Sequence, residues 1–156
     1  MTVLDTSAVL LLAGYGSVEP MDVLSLDESA SWVLDACEAE AGAEPTGGVC
    51  VAVVASIWAV ESSAAFLEYP SGRWTGSGVG PMQLARPVAC WRNTRIGTWC
   101  PAWHEVMGGA SAVRLAVDYL RVKWHPSPRR AFRRWNGGGS PGYEDRALRV
   151  LAAVRL

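Results

Sequence analysis

One acid on an otherwise apolar segment is the first residue of this chain with the makings of a catalyst. From Val49 to Ala65 the sequence is apolar nearly all round, with Val51, Val53, Val54, Ile57, Trp58 and Val60, and its one ionisable group is Glu61. A helix apolar on every side is buried, so this segment is expected at the centre of the fold. A carboxylate costs several kcal/mol to bury unpaired, so one placed here is exposed, paired or functional. An apolar setting disfavours the anion and raises a carboxyl pKa. An acid kept protonated in this way can hand its proton to a poor leaving group. Glu61 is therefore the candidate general acid.

Two later stretches bear on the same chemistry. The first is Gly78-Val79-Gly80-Pro81-Met82-Gln83-Leu84, with Gln83 lying 22 residues beyond Glu61. The second is Arg134-Trp135-Asn136-Gly137-Gly138, with Tyr143 seven residues after Asn136. Each has a bland reading by itself: Met82 as core filler, Asn136-Gly137 as an ordinary turn, Tyr143 as a core aromatic. In this order behind Glu61-Ser62, they resemble the lysozyme-like lytic transglycosylases and goose-type lysozymes. The resemblance spans residues 46–156.

That resemblance implies a mostly α, lysozyme-like fold with a central buried helix and a small hairpin or loop lobe lining a glycan cleft. It implies cleavage of the MurNAc–GlcNAc β-1,4 bond of peptidoglycan, with no cofactor and no metal. Glu61 would be the acid, Met82 and Gln83 would face substrate, and Asn136 would bind glycan polar groups. Tyr143 would hydrogen-bond near the acid. Trp135 stands where the family has Tyr, an aromatic swap that loses a hydroxyl. The family's serine between the acid and the Met-Gln turn has three candidates, Ser71, Thr75 and Ser77, and is left unassigned.

Hydrolytic glycosidases use a second carboxylate, as nucleophile or as base for water. The positions at which goose-type lysozymes carry aspartates are Trp74 and Ala85 here. Glu68 is the nearest acid in sequence, and Asp118 and Glu144 fall on later helices. Lytic transglycosylases manage with one carboxylate: the substrate's N-acetyl group assists departure, and the same glutamate then takes a proton from the C6 hydroxyl. The expected reaction is thus transglycosylation to a 1,6-anhydroMurNAc end. A hydrolytic muramidase is the alternative, and a non-catalytic glycan-binding or virion structural module on the same scaffold is a third reading.

The rest of the chain must position these groups. Its 156 residues suffice for one domain with a core. Residues 1–60 hold nine acids and no base, while 61–156 hold six acids and fourteen bases, a difference of +8. Residues 1–24 read as an acidic arm whose Ala8–Ala13 patch packs on the body or on a partner, a phage tail or virion assembly being the candidate. Residues 25–156 read as the catalytic domain. A helix is expected from Ser25, with capping-box spacing to Glu28, and Gly42 and Pro45 end it. Further helices are expected over Ser111–Trp124, Arg129–Trp135 and from Pro141, with Ser140 as N-cap. Residues 69–87 read as loop or short hairpin.

Among the eight tryptophans, Trp74 is the one expected to stack on sugar, the others being core or cleft-flanking groups. The cluster Arg129, Arg130, Arg133 and Arg134 lacks a nucleic-acid motif and reads as a solvated face or an attraction to anionic wall polymers, so no nucleic-acid partner is expected. Cys37, Cys50, Cys90 and Cys100 show no zinc spacing. They leave open neighbour disulfides or free thiols. No apolar run is long enough to span a bilayer. Met1–Leu12 lacks the basic start of a signal peptide. The expected setting is cytoplasmic synthesis and action in the bacterial cell wall, delivered by a phage particle or released through a holin.

Overall fold

The computed structural model describes residues 1–14, 23–62, 74–75, 78–79, 82, 84–85 and 109–154. Among these the chain is mostly α. In order come α1 (Val3–Ala13), α2 (Val23–Glu38) and α3 (Gly47–Ser62), then three short strands, β1 (Trp74–Thr75), β2 (Gly78–Val79) and β3 (Leu84–Ala85). The helices α4 (Gly109–Lys123), α5 (Pro128–Asn136) and α6 (Tyr143–Val154) follow.

Helix α3 is the centre, as its composition requires. Every residue from Cys50 to Trp58 is buried, and α1, α2 and α6 pack around it. The one hydroxyl in that stretch, Ser56, is satisfied within the helix by donating to the Ala52 carbonyl at 2.7 Å. The helix opens two residues before Val49, at Gly47, whose φ of +49° turns the chain into it.

The apolar patch expected on an N-terminal arm is helical and packs on the body. Thr2 and Asp5 form a reciprocal capping box, with the Thr2 N–H donating to Asp5 at 2.9 Å and the Asp5 N–H to Thr2 Oγ1 at 3.2 Å. Val9 and Leu10 are buried, and Ser7 donates to Asp27 of α2 at 2.9 Å. Helix α2 is already formed at Val23, so Ser25 lies in its first turn rather than at its cap, and the boundary drawn at residue 24 falls inside this helix.

The Cys37–Cys50 disulfide joins the last turn of α2 to the first turn of α3, closing the loop in which Gly42 adopts φ +81°. Of the two states left open by the sequence, the neighbour pairing holds for this pair; Cys90 and Cys100 lie outside the described residues. The strands form an antiparallel sheet in the order β1-β2-β3, with Trp74 opposite Val79 and Val79 opposite Leu84. Thus the glycine-rich segment is a meander of two-residue strands, one more strand than a hairpin.

Helix α4 turns Val113, Ala116, Val117 and Leu120 inward, the expected face, with Trp124 only partly buried. The last helix starts at Tyr143, two residues later than Pro141. Gly142 has φ +73°, outside the right-handed helical region, so Ser140 and Pro141 form a turn instead of a first turn of helix. The arginine cluster of α5 is exposed, as expected of a solvated face, and three of its members also pair within the chain. Arg133 donates to Glu144 at 2.6 Å and Arg129 to Asp145 at 2.7 Å, clamping α5 to the first turn of α6. Arg134 donates to the Trp124 carbonyl at 2.9 Å. Among the described residues no helix is long and apolar enough to cross a membrane.

Candidate active site

Three helices deliver three side chains to one point. Glu61 occupies the last turn of α3, where the aligned peptide dipoles already place partial negative charge. Trp135 is the penultimate residue of α5, and Tyr143 opens α6. The Tyr143 hydroxyl donates to Glu61 Oε1 at 2.8 Å, and the Trp135 indole N–H donates to the same oxygen at 3.1 Å.

Both donors are held rigidly. Tyr143 is 3 % exposed and Trp135 8 %. The Trp135 ring also meets Tyr119 of α4 edge-on, with centroids 5.3 Å apart. Their convergence follows from the turn between α5 and α6. Gly137, Gly138 and Gly142 take φ of +67°, +76° and +73°, conformations that glycine adopts without strain and that reverse the chain within six residues of Asn136. The Arg133–Glu144 and Arg129–Asp145 pairs then fix the two helices beside each other.

The electrostatics of Glu61 combine opposing effects. Burial raises its pKa above the ordinary 4.5 and is the largest influence. The Tyr143 and Trp135 hydrogen bonds and the positive charge of Arg146 pull it back down, and burial wins. Tyr143 is itself pushed far above the usual phenol range, first by burial and then by the negative charge of Glu61, so it remains a donor. Both donors use Oε1, and among the described residues nothing donates to Oε2. Among the described residues, Oε2 is thus the oxygen left to carry the proton of a neutral Glu61, while Oε1 accepts both bonds.

Asn136, the last residue of α5, sits directly behind Trp135. Its Nδ2 is buried and, among the described residues, has no hydrogen-bond acceptor. A buried amide donor in that state carries an energetic cost.

Met82 differs from expectation. It is 1 % exposed and belongs to the core cluster with Trp58 and Leu120, so its side chain is a packing group and offers no surface to a ligand. A thioether on an unbranched chain fills an irregular gap well, which is the bland reading given above. Gln83, Ser71 and Ser77 lie outside the described residues. The backbone of Trp74 and Thr75 is described in β1 and their side chains are not.

Two of the acids weighed as a second carboxylate are committed elsewhere. Glu144 accepts from Arg133, and Asp118, 8 % exposed, lies 3.7 Å from Arg114 and 3.8 Å from Arg121. Glu68 is outside the described residues. Among the described residues no group of three or more His, Cys, Asp or Glu is arranged to hold a metal ion.

Sequence reasoning missed two features. The Trp135 indole N–H reaches the acid directly, a donor role that the loss of a hydroxyl had obscured. Arg146, one turn beyond Tyr143 on α6, also acts on Glu61 through its charge. Its i, i+3 spacing from Tyr143 was the available signal. Set against family models, curated proteins and solved structures, the chain finds no match.

Proposed function

We propose that the chain is a peptidoglycan-cleaving enzyme of lysozyme-like fold, a lytic transglycosylase that works with Glu61 as its only catalytic carboxylate. The observation that carries this reading is the Glu61 carboxyl, raised in pKa by burial and held through one oxygen by Tyr143 and Trp135.

In the first step Glu61 Oε2 gives its proton to the glycosidic oxygen between MurNAc and GlcNAc. The MurNAc N-acetyl oxygen assists as that bond breaks. Glu61 is now an anion, and the Tyr143 and Trp135 donors on Oε1 stabilise it. In the second step Oε2 removes the C6 hydroxyl proton, the C6 oxygen closes on C1 as the N-acetyl oxygen leaves it, and Glu61 returns to its neutral form. No water is consumed. The two donors suit this cycle because the same carboxyl must be stable enough in both states. Asn136, beside Trp135 at the end of α5, is the residue proposed to meet a glycan carbonyl or hydroxyl.

The Cys37–Cys50 disulfide is compatible with work outside the reducing cytoplasm, in the bacterial cell wall. Purified protein incubated with cell-wall sacculi, with products resolved by mass spectrometry, tests the reading. 1,6-anhydroMurNAc ends are expected. Reducing MurNAc ends would make the protein a muramidase, and binding without products would make it a glycan-binding module.

A further inference from the structure

A second feature lies immediately beside the candidate acid. Ala59 and Val60, the two residues before Glu61, form one wall of a pocket of about 530 Å³, and Arg146, Arg149 and Val150 of α6 form the other. Arg146 and Arg149 are three residues apart on one helix, so their side chains are neighbours on the same face. Among the described residues neither pairs with a carboxylate: Arg146 donates only to Ser140 Oγ at 3.4 Å, and the nearby acids Glu144 and Asp145 are taken by Arg133 and Arg129.

Two guanidinium groups without a carboxylate salt bridge among the described residues, beside Ala59, Val60 and Val150, make a site of mixed character. A bare inorganic anion would satisfy the charge and leave the apolar floor wet. A carboxylate borne on a short alkyl group satisfies both, with planar guanidinium groups well matched to carboxylate geometry. The proximity to Glu61 sets what such a ligand belongs to. Arg146 is close enough for its charge to act on Glu61, so an anion held there lies near the candidate acid.

We propose that the Arg146–Arg149 pocket is an anion subsite that recognises the acidic substituent of the muramic acid residue: the lactyl group with its own carboxylate, or the carboxylates of the stem peptide attached to it. This deepens the proposed function and rests on it. Neutral chitin-type oligosaccharides lack that substituent altogether, so the subsite is a source of specificity for peptidoglycan over chitin.

The test uses the full chain with Glu61→Gln, so that ligands bind without turnover. Affinities are measured by calorimetry for three glycans of equal length: GlcNAc–MurNAc oligomers with stem peptides, the same oligomers with peptides removed to expose lactyl carboxylates, and chitooligosaccharide. At least one acidic glycan is expected to bind more tightly than chitooligosaccharide, and which one does so identifies the carboxylate. Adding Arg146→Ala and Arg149→Ala together should reduce that preference about tenfold, the scale of a charge-assisted hydrogen bond. Arg149→Lys should keep part of it, and raising the salt should shrink it.

No preference at the outset, or a preference untouched by the double substitution in a protein still folded by circular dichroism, overturns the subsite. Both arginines are exposed, so the fold should survive their removal. Wall cleavage by the unmodified protein reports separately on the parent reading. A protein that cleaves sacculi without charge preference keeps the function and loses the subsite. An inactive protein that still discriminates by charge keeps an anion site and loses the function.

Discussion

Tyr143 and Glu61 are 82 residues apart in the chain, and the phenol oxygen of one lies 2.8 Å from the carboxyl oxygen of the other. That contact joins the end of the central helix to the start of the last one. It gives the acid a fixed orientation and gives its anion a donor that does not titrate in the working range.

Replacing Glu61 by Gln should lower the rate of sacculus cleavage at least about a hundredfold, the scale of general acid catalysis. The fold should be retained, because the amide oxygen can still accept from Tyr143 and Trp135. Turbidity clearance and circular dichroism on the same preparation check both halves, and an active Glu61→Gln protein would refute the assignment.

The same variant has a stability signature. Glu61 is raised above its ordinary pKa of 4.5 in the folded chain, so between those two values the folded state binds more protons than the unfolded state. Stability contributed by the protonated group is present in full below 4.5 and is lost as pH rises through the raised value. The Tm of the wild type relative to Glu61→Gln should therefore fall as pH climbs from acid toward neutral. A difference independent of pH would show that Glu61 titrates as an ordinary surface carboxyl.

Tyr143→Phe removes a hydrogen bond that lowers the Glu61 pKa. The alkaline limb of the pH–rate profile, where the acid loses its proton, should move to higher pH, and kcat should drop because the anionic intermediate loses a donor. A pH series of kcat/KM distinguishes this from a loss of folding, which would lower the curve without shifting it.

Trp135→Phe keeps an aromatic ring against Tyr119 and deletes the indole N–H. A fall in kcat of about tenfold is expected, in line with one hydrogen bond to a charged group. The alkaline limb should again move upward, by the same sign argument. Unchanged kinetics would mean that the 3.1 Å contact is incidental.

Asn136→Ala separates binding from stability. The Nδ2 it removes is buried without an acceptor among the described residues, and alanine is the better helix former. The Tm should hold steady or rise while KM for glycan increases. A loss of several degrees with unchanged KM would make Asn136 a structural residue.

Reducing the Cys37–Cys50 bridge, whose ends are 13 residues apart, should cost about 3 kcal/mol of stability on chain-entropy grounds. Thermal melts with and without reductant, beside a Cys37→Ser/Cys50→Ser protein, give the number.

Much of this was legible before any coordinates. An apolar run with no polar face has only one place to go, so α3 had to be central, and an ionisable group at its end had to be unusual. Tyr143, Trp135 and Asn136 were legible as candidates because their order along the chain carries information. Met82 was assigned the wrong environment because a thioether beside glycines suits a cleft lining and a core gap equally well, and only packing distinguishes them. The arginines of α5 were legible as a solvated face, while their pairs with Glu144 and Asp145 were not, because those acids lie on a different helix. That α6 would begin at Tyr143 depended on the φ of Gly142, which local residue types leave undecided.

The amino-acid sequence by itself determined which segment is buried, which carboxyl is set among apolar residues, and which side chains are chemically able to serve it. Only the tertiary structure decided that two donors from two other helices share one oxygen of that carboxyl, that one of them is an indole, and that the charge of Arg146 acts on the same acid. Burial is encoded by composition and periodicity along one helix. Hydrogen bonds over 74 and 82 residues arise from how helices dock, where a shift of about one ångström separates a bond from none.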